Sequence, residues 1–112
     1  MRTESEIKSF ISELIKEICD KYGVTGVVHL AAFKHARESR LNPSKYWHNN
    51  VMGSLNLFQA CVEHGCERVV FSSTCATYGD HDNVVLTEAS EQHPLNAYGS
   101  SKRAVEEMLR QI

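Results

Sequence analysis

The chain has 112 residues, enough for one domain, and its 42% hydrophobic and 23% charged content is near the globular average, which excludes a disordered chain. A formal net charge of −2 offers no basic surface to nucleic acid, and the six histidines add positive charge only at lower pH. No apolar run approaches the roughly 20 residues of a membrane helix, and the polar, acidic start Met1-Arg2-Thr3-Glu4-Ser5-Glu6 does not read as a secretory signal, so a cytoplasmic location is the expectation.

Thr3-x-x-Glu6 has the spacing of a capping box and opens a helix. Ile7, Phe10, Ile11, Leu14, Ile15 and Ile18 form its apolar stripe, with Lys8, Glu13, Lys16 and Glu17 opposite. Gly23 is the expected left-handed cap. Packing is the role expected of this helix.

The run from Val24 to Ala32 reads as a buried strand of a parallel sheet, with Val27, Val28 and Leu30 at its centre. His29 within it is expected to be a core histidine with a hydrogen-bond partner. Ala31 and Ala32 at its end are small enough to let a ligand approach the backbone at the carboxyl edge of such a sheet. Phe33 to Leu41 is polar and basic, with Lys34, His35, Arg37 and Arg40, and reads as a loop, either solvated or ligand-facing.

Asn42-Pro43 supplies a cap and a first-turn proline for a second helix, expected to run to about His64. Val51, Leu55, Phe58 and Val62 are its apolar face. Asn49 and Asn50 lie early in it, and a buried amide needs partners. Gly53 costs about 1 kcal/mol in mid-helix, which points to close packing on the sheet. Gly65 stops the helix. Arg68 to Ser73 reads as the second strand, Thr74 to Gly79 as a turn, and Asp80 to Asn96 as a long polar loop of the kind often tied to function.

A last helix starts near Tyr98 and runs to Ile112. Tyr98 and Lys102 stand four apart and share one face of it. An ammonium held near a phenol favours the phenolate, and a tyrosine tuned in this way serves as a general acid or base. Thr74, at the end of Val69-Val70-Phe71, adds a hydroxyl. The four cysteines, Cys19, Cys61, Cys66 and Cys75, form no Cys-x-x-Cys pair, and Cys61-His64-Cys66 fits no common zinc spacing. They are expected to be reduced, small apolar residues, and no metal site is assigned.

The order helix, strand, helix, strand, long loop, helix gives an α/β fold with a right-handed parallel crossover. His29-Leu30-Ala31-Ala32, Asn49, Phe71-Ser72-Ser73-Thr74 and Tyr98-x-x-x-Lys102 together resemble the extended short-chain dehydrogenase/reductase family. Lys34, Glu38-Ser39, Asn42-Pro43, Tyr46, Asn49-Asn50-Val51, Gly53 and Ala76-Thr77-Tyr78-Gly79-Asp80 are similar to the branch that epimerises UDP-glucose at C4. The resemblance implies a partial Rossmann-like, NAD-binding parallel sheet flanked by helices, one partial NAD(P)-binding domain over residues 1–112. It implies Thr74, Tyr98 and Lys102 as catalytic residues. It further implies that Leu30, Ala31, Ala32, Phe33, Lys34, Asn49, Ser72, Tyr98 and Lys102 line NAD.

In the implied reaction Tyr98 takes the proton of the sugar 4-hydroxyl while hydride passes from C4 to NAD, and the keto sugar is reduced on its other face. The implied partners are a nucleotide sugar and a second copy, through helices 42–64 and 97–112, with no nucleic acid and no membrane. The family's Gly-rich phosphate turn and its carboxy-terminal substrate region have no counterpart in these residues, so an internal portion, inactive alone, is expected. A sibling sugar-nucleotide dehydratase is the nearest alternative, but Cys75 and Ala76 stand where its acidic pair belongs. A non-catalytic interaction module is the other.

Overall fold

Thr3 opens helix α1 (Glu4–Tyr22) as its spacing predicts: its hydroxyl accepts the Glu6 N–H, the Glu6 carboxylate answers to the Thr3 N–H, and Gly23 closes the helix at φ 62°. The computed structural model describes residues 1–112. They fall into two compact units, Met1–Leu30 with Gly53–Ser72 and Ala31–Met52 with Ser73–Ile112.

The first unit holds α1, strand β1 (Gly26–His29), helix α4 (Gly53–Glu63) and strand β2 (Arg68–Phe71). The strands pair in parallel, Gly26 opposite Arg68 through to His29 opposite Phe71, as a βαβ pattern requires. Both are shorter than the apolar runs suggest, because a two-stranded sheet gives their ends no further partner. Cys19, Cys61 and Cys66 are buried together, with Ile15, Val24, Val27 and Leu57 packed round them. These three behave as small apolar residues; Cys75 does not, being exposed. His29 is a core histidine: its Nε2 lies 2.9 Å from the Ser54 hydroxyl, and its ring meets those of Phe58 and Phe71 at 5.5 and 5.7 Å.

The second unit holds helices α2 (Ala36–Leu41) and α3 (Pro43–Tyr46), a π-helical segment (Trp47–Met52), a 3₁₀ turn (Cys75–Thr77) and helix α5 (Ala97–Gln111). Helix α2 replaces the expected loop. The His35 ring caps it by accepting the Glu38 N–H, and the buried Ser39 hydroxyl donates to the Ala36 carbonyl. Histidine is not among the favoured caps, which is why the sequence did not announce this helix.

The expected Asn42–His64 helix is interrupted by the π segment. Gly53 ends that interruption rather than packing closely, since a Cβ placed there meets nothing within 4 Å. Tyr46, Val105, Thr77 and Ser101 form the buried centre of this unit. Residues 80–96 have neither helix nor strand, as expected. The loop is tied back by the His93 N–H on the Tyr78 carbonyl and by the Arg103 guanidinium on the Gln92 carbonyl. No helix is long and apolar enough to cross a membrane.

Val28 and Val70 on one sheet face are each 63% exposed, and both sheet edges are open. This face of the sheet is left bare, so the unit depends on the residues buried on its other side. Phe58 is 1% exposed, and truncating such a ring costs about 3–5 kcal/mol. Phe58→Ala is therefore expected to lower the urea midpoint of the first unit, read by amide exchange of α1 and α4. Unaltered exchange of those helices in the variant would contradict this account.

Candidate active site

The second unit brings most of the sequence-predicted site residues onto connected elements. Asn96 caps α5, its side-chain oxygen accepting the Gly99 N–H at 2.8 Å, so Tyr98 and Lys102 fall in the first two turns and share one helix face. Gly99 between them is required. A Cβ there would lie 2.6 Å from the Ala76 carbonyl oxygen, so the first turn of α5 is pressed onto the 3₁₀ turn that Thr74 caps. The Thr74 hydroxyl accepts the Ala76 N–H at 3.2 Å. That bond uses a lone pair and leaves the hydroxyl proton able to donate elsewhere.

Asn50 organises the other side. Its amide oxygen accepts the Phe33 N–H at 2.9 Å, and its nitrogen donates to the Phe33 carbonyl at 2.9 Å and to the Ser101 hydroxyl at 3.3 Å. Ser101 in turn donates to the Tyr98 carbonyl at 2.8 Å. The loop Ala31–Lys34 is thereby held to the helix that carries Tyr98. Asn49 donates to the Asn50 oxygen at 2.9 Å and is itself exposed, as are Ala31, Phe33 and Lys34, while Ala32 is half-buried. Leu30 and Ser72 belong to the first unit, exposed just past the ends of β1 and β2, where the Ser72 N–H donates to the His29 carbonyl.

Sequence reasoning assigned no chemical role to Tyr46. It is fully buried, its hydroxyl accepts the His35 N–H at 3.1 Å, and its ring meets Phe33 at 5.9 Å and, edge to face, Tyr98 at 6.4 Å. Its ring thus packs edge-on against that of the half-buried Tyr98. Its place in the first turn after Asn42-Pro43 carries no local signal of this role.

Lys102 is 4% exposed, and burial pushes its ammonium below the ordinary 10.5. Below that lowered value the folded chain carries a poorly solvated charge. Between it and 10.5 the unfolded chain holds a proton that the folded chain has released, so stability rises with pH across that window. Lys102→Met is expected to remove this rise of stability with pH below 10.5, read as melting temperature against pH. An unchanged slope in the variant would refute the sign. Gly99→Ala is expected to cost about 1–3 kcal/mol by overpacking against backbone, read as a lower urea midpoint.

Residues 6–112 match the model of a family described as the NAD dependent epimerase/dehydratase family. The chain is 41% identical over 100 residues to the UDP-glucose 4-epimerase of Corynebacterium glutamicum, covering 89% of this chain and 30% of that protein. It is 48% identical over 84 residues to the UDP-glucose 4-epimerase of Streptomyces lividans, covering 75% and 26%. Among solved structures, UDP-glucose 4-epimerase from Brucella ovis in complex with NAD superposes with a TM-score of 0.84 at 38% identity, over 89% of this chain and 31% of that one. The chain thus spans under a third of the length of these relatives.

Proposed function

Because the chain belongs to the NAD dependent epimerase/dehydratase family, we propose that it carries the proton-transfer part of an enzyme interconverting UDP-glucose and UDP-galactose. The observation that supports this best is the contact of Gly99 with Ala76, which presses the Tyr98 helix onto the turn begun by Thr74. Tyr98 takes the proton of the sugar 4-hydroxyl and later returns it. Lys102, one turn along on the same face, places a cation where it steadies negative charge on the phenol oxygen. Thr74, whose oxygen already accepts from Ala76, donates its own proton to the sugar hydroxyl.

The residues fit one end of a dinucleotide. Ala31 and Ala32 present only methyl groups, and the exposed Asn49 and Lys34 offer polar contacts on a loop held to α5 through Asn50. Lys102 can donate to a ribose hydroxyl. NAD bound there supplies the hydride acceptor and donor. The 112 residues contain no glycine-rich turn for its pyrophosphate, so the proposal includes no turnover by the isolated chain. Pairing of two copies through residues 42–64 and 97–112 belongs to the same proposal.

The test is a chimera in which residues 6–112 replace the matching segment of the Corynebacterium glutamicum enzyme. It is expected to interconvert the two UDP-hexoses, and Tyr98→Phe to lower kcat at least about a hundredfold, the lower range for a lost general acid–base group. A folded but inactive chimera, or an unaffected Tyr98→Phe variant, would overturn the reading.

A further inference from the structure

We infer that Glu106 is a positioning residue that clamps the Ser73–Thr74 segment to the helix bearing Tyr98 and Lys102; its bearing on catalysis rests on the epimerase reading above. Glu106 stands four residues beyond Lys102 on α5, on the same face, and is half-buried. Both its oxygens are taken. Oε1 accepts from the Ser73 hydroxyl, and Oε2 accepts from the Gln92 side-chain amide at 3.0 Å. The same Gln92 nitrogen donates to the Thr77 hydroxyl at 3.0 Å, and that hydroxyl donates to the Thr74 carbonyl at 3.0 Å.

The bonds therefore close a circuit from Glu106 through Gln92, Thr77, Thr74 and Ser73 back to Glu106. Two of its members lie next to each other in the strand-end segment, one in the 3₁₀ turn, one in the long loop and one on the helix. Hydrogen bonds to a carboxylate are stronger than neutral ones, so the anion is the natural anchor of the ring. The circuit spends the Thr74 carbonyl and leaves the Thr74 hydroxyl proton uncommitted. Its backbone is fixed without using the group that would meet a substrate.

The neighbouring Glu107 shows what an ordinary surface glutamate does on this helix. It is exposed and pairs only within α5, with Arg110 at 3.0 Å and Gln111 at 2.9 Å. Glu106 instead reaches residues 14 and 33 positions away in sequence. A packing role would need only its methylenes; the placement of both oxygens marks the carboxylate itself.

Amide hydrogen exchange on the whole chain tests this at the Thr77 and Tyr78 N–H groups, which donate to the Thr74 and Cys75 carbonyls. Glu106→Leu, which retains bulk and loses both acceptors, is expected to speed their exchange about tenfold, with the α1 amides unchanged to about twofold. Glu106→Gln, which still accepts from Ser73 but turns an amide N–H₂ towards Gln92, is expected to speed their exchange less than Glu106→Leu does, by about threefold. Adding Ser73→Ala to Glu106→Leu is expected to change little, since the bond is already gone.

Unaltered exchange in Glu106→Leu, or effects of the two substitutions that simply add, overturns the clamp. Should Glu106→Leu fail to fold, Ser73→Ala and Gln92→Ala must each reproduce the local loss; protection retained in both overturns it equally. Exchange is read without cofactor or substrate, so the clamp and the epimerase reading stand or fall separately. In the active chimera, Glu106→Leu is expected to lower kcat about tenfold with KM moved by less than about twofold, and an unchanged kcat would remove the catalytic bearing.

Discussion

One buried amide holds the second unit together. Asn50 accepts two hydrogen bonds and donates two, which exhausts the capacity of its side chain. Two of those bonds capture both backbone polar groups of Phe33, as a neighbouring strand would, although Phe33 lies in no strand. A loop backbone that would otherwise be costly to cover is thereby satisfied by a side chain from a helix. Asn50 lies buried in the π segment while its neighbour Asn49 is exposed, and π turns within helices are frequent at functional sites.

Tyr46 completes the arrangement from below. Its hydroxyl satisfies the His35 amide while its ring supports both Phe33 and Tyr98. The loop Ala31–Lys34 and the tyrosine helix are thus referred to one buried ring and one buried amide. Neither group needs to touch a ligand. A change at either would move both sides of the site at once, which distinguishes such residues from a surface contact whose loss is local.

The strong local signals in the sequence were legible because they act within a few residues. The Thr3 capping box, the Gly23 stop, the Asn42-Pro43 start and the placing of Tyr98 and Lys102 on one face all follow from helix geometry, and all appear. The parallel pairing followed from the βαβ order, and the partner of His29 from its burial. What was not legible depends on distant residues. Helix α2 needs a histidine cap and a lysine from α3 that pairs with Glu38. The partners of Asn50, Phe33 and Ser101, lie 17 and 51 residues from it in sequence. Gly53 read as a packing glycine because the helix was assumed uniform, whereas the space above it is open.

The two units meet the cost of folding differently. The first relies on apolar burial, with three cysteines, Phe58 and the covered face of a two-stranded sheet, while Val28 and Val70 remain bare. The second fixes its site through polar circuits: Asn50 with Phe33 and Ser101, and Glu106 with Ser73 and Gln92. Such bonds each contribute only about 0.5–1.5 kcal/mol net, yet they are directional, and direction is what the proposed proton transfer requires. Lys102 follows from the same division. Burial lowers the pKa of the Lys102 ammonium, held to 4% exposure, and a perturbed cation one turn from Tyr98 accords with the proposed chemistry.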